Sequence, residues 1–110
     1  MKYHNIPTVI DGVRFSSKKE AGRYSELKLL EKGGVIKNLS LQPRFLLLEA
    51  FIDGMGVKHR KIEYVADFAY FDVENNTDVV EDVKGMRNNI YKLKLKFFLA
   101  KYPQYRFIET

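Results

Sequence analysis

The first clear pattern of apolar and polar positions begins after residue 15. In "SSKKEAGRYSELKLLEKGG", residues 16–34, apolar side chains recur at helical spacing, at Ala21, Tyr24, Leu27 and Leu30. Ser16 or Ser17 is a suitable N-cap, and the Gly33-Gly34 pair is a stop signal. The pattern predicts a helix.

A second long pattern, "NIYKLKLKFFLAKYP", covers residues 89–103 and is ambiguous. Its lysines at 92, 94 and 96 alternate with apolar residues, as in a strand. Its length of about thirteen residues before Pro103, and its Leu, Lys and Ala content, favour a helix. We therefore predict a second helix.

Five shorter segments have the composition of strands or hairpins. "TVIDGVRF", within an N-terminal arm of residues 1–15, has Asp11-Gly12 as a turn signal. Strands are predicted for "RFLLLEAFI", for residues 59–71, for "VVEDVKG" after the polar loop "DVENNTD", and for "YRFIE" near the end. The order is helix, three strands, helix, strand, which predicts one domain of the α/β (α+β) class over residues 1–110.

Composition limits the class of protein. The chain has 110 residues, 45% hydrophobic and 30% charged, which is typical of a globular protein. It has no cysteine, so a disulfide, a thiolate metal site and a cysteine nucleophile are excluded. No membrane-length apolar run or signal peptide is found, and we expect a cytoplasmic protein.

The positive charge is unevenly distributed. The net charge is +5, and between Lys84 and Arg106 there are seven basic residues and no acidic one. Such a sector favours a polyanionic partner, with DNA the leading candidate, and the residues expected to contact phosphates are Arg87, Lys92, Lys94 and Lys96. The alternative is a solvated lysine-rich face.

The segment "DVVEDVKG", residues 78–85, places charged residues inside a strand-like run. Because side chains alternate across a strand, Asp82 and Lys84 share one face and Glu81 points to the other. An even-numbered loop before this strand brings Asp67 to the face of Asp82, whereas an odd-numbered loop brings it to Glu81. With Asn75-Asn76 as the turn, or a four-residue loop over residues 74–77, Asp67 lies opposite Lys84 and diagonal to Asp82.

Two carboxylates beside a lysine suit metal-assisted hydrolysis of a phosphodiester. Asp67 and Asp82 can supply oxygen ligands to Mg²⁺, and Lys84 can orient water or stabilise the developing charge. Glu20 is a third candidate acid on the buried side of the first helix, although S-x-x-E spacing from Ser17 also predicts a capping box. The alternative for the strands is an exposed Asp67–Lys84 ion pair, worth under about 1 kcal/mol.

This ordered set resembles the PD-(D/E)xK nuclease superfamily, which has a restriction-endonuclease-like fold. "DGVRFSSKKEAGRYSELKLLEKGG", "LQPRF", "YVADFAY" and "VVEDVKG" resemble, more closely, small phage and prophage proteins assigned to that superfamily. The resemblance implies a mixed sheet flanked by helices, Mg²⁺ or Mn²⁺ as cofactor, and Asp67, Asp82, Lys84 and Glu20 as catalytic residues, with the three acids on the metal. The sequence departs from the family pattern at two positions. Ala66 stands where the eponymous proline would be, and the second acid is Asp82 instead of the commoner Glu.

The function that the resemblance implies is a metal-dependent DNA endonuclease. The expected substrate is branched or recombination DNA, as for Holliday junction resolvases, and a homodimer is expected because two strands are cut symmetrically. One alternative is a non-catalytic DNA-binding or assembly protein that retains the fold. Another is a subunit that becomes active only with a protein partner. For the metal site, Glu81 remains an alternative to Asp82 as the second acid.

Overall fold

The computed structural model describes residues 7–83, 85 and 87–110. It begins with a hairpin of β1 (Thr8–Ile10) and β2 (Val13–Phe15), whose turn residues Asp11 and Gly12 both have positive φ. Asp and Gly tolerate this conformation better than most residues. The hairpin predicted from the Asp-Gly signal is confirmed.

Helix α1 (Lys18–Lys32) is confirmed, and the structure selects Ser17 as its N-cap. The Ser17 Oγ accepts the Glu20 N–H at 3.1 Å, and Gly33 ends the helix before Gly34 takes a φ of 79°. The buried residues of α1 are Glu20, Ala21, Tyr24 and Leu27, so the predicted apolar stripe is the packed face.

The central sheet has four strands in the order β10 (Arg106–Glu109), β9 (Thr77–Asp82), β8 (Phe68–Asp72) and β3 (Ile36–Leu41). The β10–β9 pair is parallel and the other two pairs are antiparallel. With its two helices the protein is therefore α+β with a mixed sheet, as predicted. Helix α2 (Asn89–Lys101), capped by Asn88 and ending before Pro103, is also confirmed.

Two short ladders lie outside the central sheet. Strand β4 (Arg44–Leu48) pairs with β7 (Ile62–Val65), and β5 (Phe51–Ile52) pairs with β6 (Lys58–His59). The predicted strands "RFLLLEAFI" and 59–71 are thus each divided. The second divides because Ala66 donates its N–H to Pro43, while the Asp67 carbonyl accepts the Gln42 N–H, where the chain passes from one ladder to the next.

Strand β3 was not predicted, although it forms one edge of the central sheet. Its alternation is interrupted at Asn38, which has a φ of 58°, and the register with β8 shifts between Lys37 and Ser40. A bulge of this kind breaks the two-residue periodicity by which a strand is recognised.

The β8–β9 hairpin has the predicted even loop but a different register. Asp72 pairs with Thr77, which leaves residues 73–76 as a four-residue loop, and Phe68 pairs with Glu81. The Asp72 carboxylate accepts both the backbone N–H and the side-chain amide of Asn75, and these bonds close the turn. The four-residue loop is therefore 73–76 instead of the predicted 74–77. Continuing this register places Asp67 opposite Asp82, so the predicted Asp67–Lys84 pairing is wrong by two residues.

Each face of the sheet supports its own core. On one face α1 packs over the central strands in a cluster that includes Leu27, Phe68, Tyr70 and Val79. On the other face α2 contributes Phe98 to a second cluster with Phe45, Tyr64 and Val80. Within the described residues, neither helix is long and apolar enough to cross a membrane.

A buried ion pair joins α1 to the central strand β9. Arg23 donates Nε–H and Nη2–H to the two oxygens of Glu81, at 2.5 Å and 3.0 Å, and Glu81 is 0% exposed. Tyr70 and Thr110 donate to the same carboxylate at 2.7 Å and 2.8 Å. Because four protein donors converge on Glu81, its buried charge is compensated, and this pair raises the pKa of Arg23.

We predict that Arg23→Met lowers the free energy of unfolding by about 3 kcal/mol, because it leaves the buried Glu81 charge without a cation. Urea denaturation measures the change. The double variant Arg23→Met/Glu81→Gln should recover part of the loss, since the carboxylate charge is then absent. Lys32→Met, at the exposed end of the same helix, should change stability by no more than about 0.5 kcal/mol. An Arg23→Met loss as small as this control would contradict the assignment.

Candidate active site

A cleft opens at the end of the central sheet where β8 begins and β9 ends. It is lined by Val65, Asp67, Asp82, Val83, Gly85, Arg87, Tyr91 and Glu109. Acidic, basic and phenolic groups therefore converge at one edge of the sheet.

Asp67 and Asp82 are joined by reciprocal hydrogen bonds to the backbone of the opposite strand. The Asp67 N–H donates to Asp82 Oδ1 at 2.8 Å, and the Val83 N–H donates to Asp67 Oδ2 at 2.7 Å. Each carboxylate thus binds a main-chain donor just beyond the last hydrogen-bonded pair of the hairpin. The two acids that the sequence singled out are brought together, side by side instead of diagonally.

Two tyrosines hold the other oxygen of Asp82. The hydroxyls of Tyr64 and Tyr91 both donate to Oδ2, that of Tyr91 at 2.8 Å, and Asp82 is only 6% exposed. Burial, followed by the hydrogen bond to Asp82, raises the pKa of Tyr64, and the same causes raise the pKa of Tyr91 to about 12. Both phenols therefore remain O–H donors at neutral pH, and they fix the orientation of the Asp82 carboxylate.

The electrostatics of Asp67 differ from those of an ordinary surface aspartate. Its pKa is raised to about 7, mainly by burial; the Val83 N–H opposes this rise, and the charges of Glu20, Asp82 and Glu81 contribute to it. The negative charges of three other acids therefore act on the Asp67 carboxylate. Such a carboxylate in a cleft is a functional-site candidate.

Glu20 contributes to this field from α1. It is 6% exposed, and its carboxylate accepts the Ser16 hydroxyl at 2.8 Å, while its N–H binds Ser17 as in one half of the predicted capping box. In the part of the chain that the structure describes, however, no three Asp, Glu, His or Cys side chains are grouped to hold one ion. The structure joins Asp67 and Asp82, and it leaves Glu20 outside a three-acid ligand group.

The structure locates one of the two remaining charged residues of "DVVEDVKG" considered for the site, Glu81, but not the other, Lys84. Glu81 lies on the α1 face with Arg23, as the strand alternation predicted, so it does not share the face of Asp82. Lys84, predicted to be catalytic, lies outside the described residues.

The predicted DNA-contacting residues are not equivalent. Arg87 lies inside the cleft, where it forms an ion pair with Glu109 and stacks over the Tyr91 ring at 5.5 Å. Lys92 and Lys96 are exposed on α2, whereas Lys94 is half-buried and lines an apolar groove beside Leu47, Ile62 and neighbouring side chains.

One comparison with known proteins identifies the family. A sequence model described as "Protein of unknown function (DUF1064)" matches residues 1–109. The chain belongs to the DUF1064 family. Searches of curated proteins and of solved structures gave no significant match to it.

Sequence patterns alone did not assign the groups that hold Asp82 in this DUF1064 protein. Tyr64 and Tyr91 come from β7 and α2, and Glu109 reaches the cleft because β10 runs parallel to β9 with Glu109 beside Asp82. The alternation that buries Tyr64 and Ala66 on one face was a usable signal for Tyr64. The partners of β7 and β10 were not evident from local periodicity.

We predict that Asp67→Asn stabilises this DUF1064 protein at high pH in metal-free buffer. The Asp67 carboxyl has a folded-state pKa of about 7, raised from 3.8. The folded state therefore binds this proton more tightly than the unfolded state, so the group's contribution to stability falls as pH rises from about 4 to 7. Asn keeps an oxygen acceptor for the Val83 N–H and removes the charge. At pH 8 the variant should be more stable by on the order of 1 to 2 kcal/mol, after allowance for solvent screening.

Urea denaturation with a chelator at pH 4 and pH 8 measures this difference. At pH 4 the wild type and Asp67→Asn should differ little, because the wild-type carboxyl is then largely protonated in the folded state. Asp78→Asn, at an exposed position of β9, is the matched control and should not reproduce the change. Equal stability of Asp67→Asn and wild type at both pH values would contradict the electrostatic assignment.

Proposed function

We propose that this DUF1064 protein is a metal-dependent DNA endonuclease of the PD-(D/E)xK type, phage or prophage encoded, that hydrolyses phosphodiester bonds of branched or recombination DNA. The observation that carries the proposal is the adjacent pair Asp67 and Asp82 in a cleft, with the pKa of Asp67 raised by burial and neighbouring acids. Two adjacent carboxylates, one of them with a raised pKa, are the kind of oxygen-ligand site that favours a bound cation. The proposed site of action is the cytoplasm of the host cell.

The residues present fit a hard divalent cation. Asp67 and Asp82 would hold Mg²⁺ or Mn²⁺ through carboxylate oxygens, and Glu20 would add negative charge from α1. The backbone donors occupy one lone pair on each of Asp82 Oδ1 and Asp67 Oδ2, so further acceptor capacity remains. Mg²⁺ commonly keeps several waters and needs only one or two protein carboxylates. When bound, it would supply Lewis-acid stabilisation of the phosphate and a water of lowered pKa.

The other groups of the cleft would orient the Asp82 carboxylate and neutralise the charge of the phosphate. Tyr64 and Tyr91 hold the Asp82 carboxylate in one orientation by their O–H groups. Arg87 brings a guanidinium into the same cleft, where it can pair with a phosphate in place of Glu109. Lys84, in the role that the resemblance implies, stabilises the charge that develops on the phosphate.

Helix α2 supplies positive charge for binding DNA without reading its sequence. Lys92 and Lys96 are exposed on α2, and Tyr91 in the first turn of that helix lines the cleft. We propose that the DNA bound at the cleft extends along α2 to these lysines. Contacts of this kind position the phosphate backbone and weaken as salt concentration rises. A homodimer, as we propose, would present two clefts for symmetric cutting.

The second candidate is a non-catalytic DNA-binding or assembly protein that retains a nuclease fold. It is favoured by one arrangement in particular: three protein donors already bind Asp82, and no three-acid ligand group is formed among the residues that the structure covers. In this case the acids serve packing, and the lysines alone carry function.

The two candidates predict different results with DNA. Purified protein is incubated with linear, flapped and four-way-junction DNA in the presence of Mg²⁺, Mn²⁺ or a chelator. We expect cutting with metal only, and a loss of roughly 100-fold or more in Asp82→Asn and Lys84→Ala, since each removes a group needed for the chemistry. Asp78→Asn is the matched acid control on the same strand and should cut at the wild-type rate.

Two outcomes would decide against the proposal. Cutting that survives both substitutions would remove Asp82 and Lys84 from the site. Binding of every DNA without cutting would favour the non-catalytic candidate. A Glu81→Gln variant should lose stability but not the cutting rate per folded molecule, because Glu81 binds Arg23 on the opposite face.

Metal binding has a readout that does not depend on activity. We predict that millimolar Mg²⁺ or Mn²⁺ raises the Tm of the wild type, because a ligand that binds only the folded state stabilises it. The increase should be lost in Asp67→Asn and in Asp82→Asn and retained in Asp78→Asn, as measured by thermal denaturation with and without metal. An equal increase in all four proteins would show that the cation binds elsewhere.

A further inference from the structure

A projecting arm separates strands β4 and β7. We define the arm as residues 49–61, which include β5, β6 and the turn between them. Every residue from 54 to 62 is exposed, and Met55 in the turn is 89% exposed. None of the arm residues belongs to either of the two core clusters. The arm is therefore surface structure beyond the packed body of the protein.

The arm is held in shape by its own contacts. The Asp53 carboxylate accepts the N–H groups of Met55 at 2.8 Å and Val57 at 3.0 Å, and its second oxygen lies 2.7 Å from a ring nitrogen of His59. The His59 ring also stacks on Phe51 with centroids 4.7 Å apart. A hairpin that is preorganised in this way presents its side chains at a lower entropic cost of binding.

The returning strand of the arm carries a dense positive charge. Residues 58–61 are Lys58, His59, Arg60 and Lys61, and all four are exposed. Lys61 lies 3.5 Å from Glu63, whereas the structure records no ion pair for Lys58 or Arg60 within the described residues. Lys58 and Arg60 are thus available to an external anion, at the point where the sequence predicts only that a strand begins.

The arm is connected directly to the candidate site. In the β4–β7 ladder, Ile62 pairs with Leu48 at the arm end and Val65 pairs with Arg44 at the other end, just before Asp67. The seven residue-to-residue steps from Arg60 to Asp67 span at most about 23 Å when extended. On duplex DNA this corresponds to a phosphate within about seven base pairs of one bound at the cleft.

We infer that the arm is a second DNA-contacting element, in which Lys58 and Arg60 bind the phosphate backbone of a duplex flanking the cleft. The inference rests on the proposed function in that the partner is DNA. Duplex DNA fits better than an acidic protein surface because its phosphates continue at regular spacing from the cleft, past the ladder, to the arm. The arm contributes affinity and positioning, and the chemistry remains at Asp67 and Asp82.

Salt-dependent binding in a chelator tests the inference without any cutting. Fluorescence anisotropy of a labelled 30-base-pair duplex is measured between about 50 and 300 mM NaCl for wild type and Lys58→Ala/Arg60→Ala. Each phosphate contact contributes about 0.9 to the slope of log affinity against log salt, so the double variant should lose about 2 from the slope and bind about tenfold more weakly. The matched control is Arg14→Ala/Lys32→Ala, which removes one exposed Arg and one exposed Lys on the α1 side.

The outcomes separate the arm from the nuclease. An unchanged slope and affinity in the arm variant, or an equal loss in the control variant, overturns the inference, as does a wild type that does not bind DNA. Polyglutamate that binds the wild type with the same arm dependence would reassign the arm to acidic proteins and also overturns it. Cutting with Mg²⁺ is assayed on the same preparations. DNA binding that depends on the arm, without cutting, supports the arm as a DNA-contacting element and contradicts the proposed nuclease activity. Cutting with binding that does not depend on the arm supports the nuclease activity and overturns the inference about the arm.

Discussion

The alternation of strand β9 determines what the molecule can do with its two adjacent acids. Glu81 and Asp82 are neighbours in sequence, but they point to opposite faces of the sheet. On one face Glu81 meets Arg23 and ties α1 to the sheet. On the other face Asp82 meets Asp67 and two tyrosines at the edge of a cleft. One face of the strand therefore provides structural attachment, and the other provides a concentration of polar groups.

The two sites handle their charge in different ways. Glu81 is fully compensated, because a guanidinium and two hydroxyls surround it, and its burial serves the packing of the helix. The Asp67 carboxylate accepts the Val83 N–H, while burial and the charges of neighbouring acids raise its pKa. A protein gains no folding stability from such an arrangement. Destabilising groups that persist in a cleft are characteristic of sites whose ligand completes them.

Local patterns were sufficient for both helices, the N-terminal hairpin, the β8–β9 hairpin and the face on which each acid lies, because each depends on spacing within one or two neighbouring segments. They were insufficient for β3, where Asn38 interrupts the alternation. They were also insufficient for the division of residues 59–71 among the β5–β6 ladder, the β4–β7 ladder and the central sheet, which depends on the pairing of each part with other strands. The Asp67–Asp82 register depended on side-chain hydrogen bonds of Asp72 to Asn75. Tyr64, Tyr91 and Glu109 join the site only through tertiary packing.

The four-residue loop between β8 and β9 has a consequence for how this family can vary in length. Insertion or deletion of a single residue at positions 73–76 would reverse the parity of the hairpin and bring Glu81, instead of Asp82, to the face of Asp67. Arg23 would then lose its carboxylate at the same time as the cleft lost its second acid. Changes of two residues would preserve the faces and displace only the alignment along the strand. Loop length at this turn is therefore coupled to the identity of the site, although the loop itself lies at the opposite end of the strands from the cleft.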